Sequence, residues 1–129
     1  MTNVKTINGQ VQISNEVGVW VKGSRTPNSE GLSPRELLEA SVALCVTITI
    51  QKVLERDQIE YDPTQLEVDV TATKEAEPQA NQFSHFYVKV KLPDSLDQAY
   101  RKKLITIAER GCTIGNTLKS GVVILTEQV

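Results

Sequence analysis

Apolar and polar positions along this chain change period several times, and each change marks an element. In Val4-Lys5-Thr6-Ile7-Asn8-Gly9-Gln10-Val11-Gln12-Ile13, two β-prone runs flank Asn8-Gly9. That dipeptide tolerates positive φ and suits a type I′ turn, so a hairpin is expected. A further strand is expected from Val17 to Lys22, followed by a polar Gly/Pro-containing loop from Gly23 to Gly31. Ser33 precedes Pro34, with Glu36 three positions after the serine. This combination of N-cap, first-position proline and capping-box acid starts a helix. The helical pattern runs from Pro34 to about Gln58, and its middle third is apolar in nearly every direction around the axis. A helix of that kind must be enclosed by its own sheet and another helix, or by a partner subunit.

Beyond the helix, Leu66 to Thr73 alternates apolar and polar residues, as a strand with one buried face does. A polar turn with Pro78 is expected from Glu75 to Gln82, and a second strand from Phe83 to Leu92, with Phe86, Val88, Val90 and Leu92 on one side. Ser95, with Gln98 three positions on, is expected to open a helix in which Leu96, Tyr100, Leu104, Ile107 and Ala108 recur at helical spacing. Gly111 ends it. A short helix from Cys112 to about Lys119 and a last strand, Val122 to Thr126, complete the order. Strands and helices that do not strictly alternate indicate an α+β fold with a largely antiparallel sheet.

Composition narrows the possible functions. At 129 residues, a single domain over 1–129 is expected, large enough to form a core without disulfide staples or a structural metal. The net charge is −2, with Lys and Arg scattered among Glu and Asp, so no nucleic-acid partner is expected. The stretch Leu37 to Ile50 is too short to span a bilayer and contains Glu39, Ser41, Thr47 and Thr49, which predicts a buried helix and no membrane partner. The N-terminal residues lack a secretory pattern, so a reducing cytoplasm is expected. No glycine-rich phosphate loop or serine-hydrolase elbow occurs, and no cofactor is expected. The two cysteines and His85 leave a tetrahedral zinc short of ligands, and His85 shares its side of a strand with Lys89 and Lys91, as a surface histidine does.

The chemistry therefore centres on Cys45 and Cys112. Cys112 follows the helix-ending Gly111 and stands where the next helix begins, a position at which free backbone N–H groups and the helix dipole favour a thiolate. Cys45 lies inside the long apolar helix. At about 100° per residue, Leu38, Ser41, Thr49 and Lys52 share its side, Arg35 lies roughly 80° away, and Glu36 points roughly opposite. Burial favours the Cys45 thiol and a nearby guanidinium favours the thiolate. The pair is a candidate redox couple. Core and cap roles for two inert cysteines are the plainer alternative.

Two segments carry a family resemblance. Ser33-Pro34-Arg35-Glu36-Leu37-Leu38-Glu39-Ala40-Ser41-Val42-Ala43-Leu44-Cys45 resembles the proline- and glutamate-led, alanine-rich, cysteine-bearing helix of the OsmC/Ohr family. Cys112-Thr113-Ile114-Gly115-Asn116-Thr117-Leu118 is similar to its second motif, with Thr113 in place of the usual proline and Gly115 in place of a common histidine. The resemblance implies an OsmC-like intertwined homodimer, with long central helices packed between mostly antiparallel sheets. It further implies thiol-dependent reduction of organic hydroperoxides in oxidative-stress defence, with a dithiol as reductant. By motif, Cys45 becomes the peroxidatic thiolate and Cys112 the resolving thiol. In the hydroperoxidases an arginine from the N-terminal part polarises the peroxide and is held by a glutamate. The glutamate position is Arg35 here, with Glu36 beside it, and Arg25 in the preceding loop is the candidate for the mobile arginine. The alternative is a non-catalytic OsmC-like dimer that binds a small hydrophobic ligand.

Overall fold

Local signals set the first elements. In the computed structural model, which describes residues 1–75 and 80–129, Asn8 and Gly9 have φ of 50° and 77°. They turn β1 (Asn3–Ile7) back onto β2 (Gln10–Ser14), with Val4 opposite Ile13. The third strand, β3 (Trp20–Lys22), is shorter than expected. Asn15 accepts from the amides of Val17 and Val19 through its side chain, so Val17 to Val19 belongs to the turn before β3. The three strands form one antiparallel sheet in the order β1-β2-β3.

Helix α1 (Pro34–Arg56) starts on the expected capping box, in which Ser33 N–H donates to Glu36 Oε1 at 2.9 Å and Glu36 N–H donates to Ser33 Oγ at 3.3 Å. It ends when Gln58 turns left-handed at φ 55°, letting Ile59 N–H donate back to the Leu54 carbonyl at 2.9 Å. The chain divides into two compact units, Met1–Ala40 and Ser41–Val129, with α1 running across the division.

In the second unit, β4 (Glu67–Thr73) and β5 (His85–Lys91) form an antiparallel pair that sets Val68 opposite Val90, Val70 opposite Val88 and Ala72 opposite Phe86. Part of the turn expected around Pro78 lies outside the described residues. Helix α2 (Gln98–Gly111) is capped by Asp97, whose Oδ1 accepts from Tyr100 N–H at 2.8 Å, rather than by Ser95. The Ser95 region instead turns, with Leu96 N–H donating to the Pro93 carbonyl at 3.3 Å. Helix α3 (Thr113–Ser120) follows directly.

The core of this unit joins Val46, Ile50 and Leu54 of α1 to Leu92, Leu104 and Ala108. Helix α1 is long and apolar enough to cross a membrane by length and composition, yet Ile50 and Leu54 are fully enclosed by the chain's own residues. It is a core helix. Its apolar surface is not all covered, since Leu44 and Ile48 remain exposed. The strand expected at Val122 to Thr126 is not formed within the chain: those residues take no strand pairing, and Val122 and Leu125 are 67% and 90% exposed. A strand forms only against an edge that accepts its hydrogen bonds.

Candidate active site

Cys45 and Cys112 are brought together in the second unit. Cys45 is held by the middle of α1, half-buried, and its carbonyl accepts from the Thr49 hydroxyl at 2.9 Å. Cys112 occupies the junction of α2 and α3 and serves both helices. Its N–H donates to the Ala108 carbonyl at 3.1 Å, and its Sγ accepts from Gly115 N–H at 3.3 Å, capping α3. Gly111 permits the close approach of this junction to α1, because a Cβ there would stand 3.2 Å from the Thr49 methyl carbon.

Both thiols are free, and their environments push them in opposite directions. The Cys45 thiol is lowered below the ordinary cysteine range, chiefly by the backbone amide of Ile114. Burial opposes this; a hydrogen bond from the Cys112 thiol, the Thr113 amide and the charge of Lys52 add to it. Cys112, only 3% exposed, is raised, chiefly by burial and further by the neighbouring Cys45; the Gly115 amide partly offsets this. The helix-start argument thus holds, but for the other cysteine. The free amides of α3 point at the sulfur packed ahead of them, while Cys112 is the buried cap residue.

The remaining predicted residues have defined local roles. Glu36 closes the capping box, and its carboxyl is lowered chiefly by the Ser33 amide. Arg35 pairs with Glu39 at 3.7 Å, one helical turn on. Arg25 is exposed in the loop between β3 and α1. Sequence reasoning had placed Lys52 on the Cys45 side without giving it a role, and had not identified the amides of Thr113 and Ile114. One signal for these was present: a proline at position 113 would have no N–H to offer.

An apolar cavity of about 590 Å³ is lined in part by Cys112, and Cys45 is not among its lining residues. Val46 of α1, Phe86 and Val90 of β5, Ala108 of α2, and Cys112 and Leu118 around α3 form walls, with Ser84, Glu109 and Lys119 as polar lining. Its size and character match small-molecule sites. His85 lies exposed, as expected; its Nδ1 contacts Ser84 Oγ at 2.7 Å, its ring stacks on Tyr87, and Glu75 pairs with it at 3.6 Å. Among the described residues, no group of three or more His, Cys, Asp or Glu converges to hold a metal.

Comparison with known proteins gives a consistent picture. The family of OsmC-like proteins matches residues 26–127. An OsmC-like protein from Mycoplasma pneumoniae superposes with a TM-score of 0.66 at 15% identity, covering 92% of this chain and 87% of that one. The organic hydroperoxide resistance protein OhrB of Bacillus subtilis gives 0.63 at 21% identity, covering 92% and 90%. An organic hydroperoxide resistance protein OsmC from Legionella pneumophila gives 0.62 at 18% identity, covering 92% and 89%. These likenesses establish the shared fold. No curated protein matches the sequence.

Proposed function

Because the chain belongs to the OsmC-like family, we propose that it is a stress-defence thiol peroxidase that reduces organic hydroperoxides through Cys45 and Cys112. The observation that carries this reading is the opposite tuning of two adjacent free thiols. One is lowered toward the nucleophilic thiolate, and the other is held as a protonated thiol. The family relatives from Bacillus subtilis and Legionella pneumophila, both organic hydroperoxide resistance proteins, support the substrate class.

In the proposed reaction the Cys45 thiolate attacks the terminal oxygen of R–O–OH. The S–O bond forms as the O–O bond breaks, and the alkoxide takes a proton from solvent to leave as the alcohol. The sulfur is oxidised to the sulfenic acid. Cys112 sulfur then attacks Cys45 sulfur, the S–O bond breaks, and hydroxide leaves as water with the Cys112 proton. An external dithiol reduces the resulting disulfide and is itself oxidised to a disulfide. Two free thiols suit a reducing compartment such as the cytoplasm. Arg25 is the proposed cation for the peroxide, since Arg35 is engaged by Glu39 and Glu36 by the capping box.

The active form in this reading is a homodimer. The exposed Leu44 and Ile48 of α1 and the unpaired apolar segment from Val122 to Leu125 are surfaces that a second copy would cover.

The test is sulfenic acid trapping with dimedone after one equivalent of hydroperoxide. Cys112→Ser accumulates the adduct on Cys45, the wild type closes a disulfide instead, and Cys45→Ser gives neither product. The apolar cavity favours a second reading, a module that holds a small hydrophobic ligand without turnover. A tightly held ligand seen by native mass spectrometry, with thiols that survive peroxide, would select it.

A further inference from the structure

Helix α1 carries a cation on the same stripe as its cysteine. Lys52 follows Cys45 by seven residues, two turns, so the two side chains emerge about 20° apart around the axis. Helical side chains lean toward the N-terminus, a direction that for Lys52 is the Cys45 end of the stripe. Thr49 stands between them. Its hydroxyl is turned down onto the Cys45 carbonyl at 2.9 Å, and its methyl faces Gly111.

Lys52 is exposed, and the ion pairs among the described residues, Met1–Glu16, Arg35–Glu39, Arg56–Asp57 and His85–Glu75, leave it uncommitted. The groups that act on the Cys45 sulfur are the Cys112 thiol, the amides of Thr113 and Ile114 from α3, and the Lys52 charge from α1. Lys52 is not among the groups acting on Cys112. Lys52 is thus the one charged side chain that acts on Cys45 and not on Cys112.

We propose that Lys52 is a positioning residue of this site: its ammonium, on the Cys45 side of α1, adds to the amides of α3 in favouring the nucleophilic thiolate of Cys45. The proposal rests on the peroxidase reading for the use of that thiolate, but not for its existence.

The experiment is mass-resolved alkylation of Cys45 by iodoacetamide in the full chain, followed against pH for the wild type and for Lys52→Met, Lys52→Glu and Lys52→Arg, with circular dichroism to establish folding. Lys52→Met is expected to move the Cys45 midpoint up by about half a pH unit, roughly a threefold loss of thiolate below the midpoint. Lys52→Glu moves it farther, and Lys52→Arg restores the wild-type profile. Added salt raises the wild-type midpoint and leaves that of Lys52→Met in place. Coincident profiles for wild type, Met and Glu, or a shift that Arg fails to restore, overturn the proposal. The wild-type salt response decides it independently, since its absence also overturns it. Because alkylation reports the sulfur's charge and not peroxide turnover, loss of the peroxidase reading alone leaves these shifts intact.

Discussion

The backbone amide of Ile114 is the chief influence that lowers the Cys45 thiol, so the free end of one helix serves a thiol carried by another. Cys112 makes this possible. As the cap residue of α3 it uses its own sulfur to accept from Gly115, three residues on, and leaves the amides before Gly115 free to face α1. A cap residue and a nucleophile are thereby separated within one short turn.

The opposite tuning of the two thiols has a thermodynamic consequence. Cys45 is lowered in the folded chain, so between its folded value and the ordinary value of about 8.5 the unfolded chain binds a proton that the folded chain does not. Stability contributed by Cys45 therefore rises with pH across that window and is lost as pH falls through the folded value. Cys112 acts in the opposite sense above the ordinary value, because its folded thiol is raised. Cys112→Ser removes that opposing contribution and keeps a capping oxygen. Denaturant melts of Cys112→Ser are expected to show stability rising toward pH 8.5, a rise absent from the double variant Cys45→Ser, Cys112→Ser.

Leu104 is fully buried in the core cluster that also holds Ile50 and Leu54 of α1 and Cys112. Leu104→Ala is expected to destabilise the protein by about 2–5 kcal/mol, read from urea midpoints at unchanged slope.

The end of α1 is tied to α2 by the Tyr100 hydroxyl, which donates to Asp57 Oδ2 at 2.7 Å, and the phenol is pushed up to about 12, chiefly by burial and then by this carboxylate. Tyr100→Phe is expected to lower the melting temperature by a few degrees while leaving the Cys45 alkylation profile unchanged, because Tyr100 is not among the groups acting on that sulfur.

If a second copy covers the exposed apolar segments, removal of residues 122–129 weakens association. Light scattering at micromolar concentration is expected to report a dimer for the full chain and a larger monomer fraction for the truncated one.

Much of this structure was legible in local chemistry. Asn8-Gly9 specified its hairpin, Ser33-Pro34-Glu36 specified the start of α1 down to both capping-box hydrogen bonds, and the alternation from Leu66 specified β4. Choices between neighbouring candidates were less legible. Ser95 and Asp97 both suit an N-cap, and only the turn at Pro93 and Leu96 selects Asp97. The Val122 to Thr126 run has strand character, but pairing depends on an edge that the sequence of that run does not describe. The site shows the same division. A helix start at Cys112 is visible along the chain, but which sulfur lies ahead of its amides depends on how α1 packs against the α2–α3 junction.

The central claim is that Cys45 and Cys112 form one redox couple driven by an organic hydroperoxide, and intact-protein mass spectrometry tests it most directly. Reduced protein is treated with one equivalent of tert-butyl hydroperoxide, and its mass, free thiols and released alcohol are measured together. The predicted result is loss of two hydrogens, disappearance of both thiols, a Cys45–Cys112 disulfide in the peptide map and one equivalent of tert-butanol, with none of these in Cys45→Ser. Survival of both thiols, or peroxide consumption by Cys45→Ser at the wild-type rate, would contradict it.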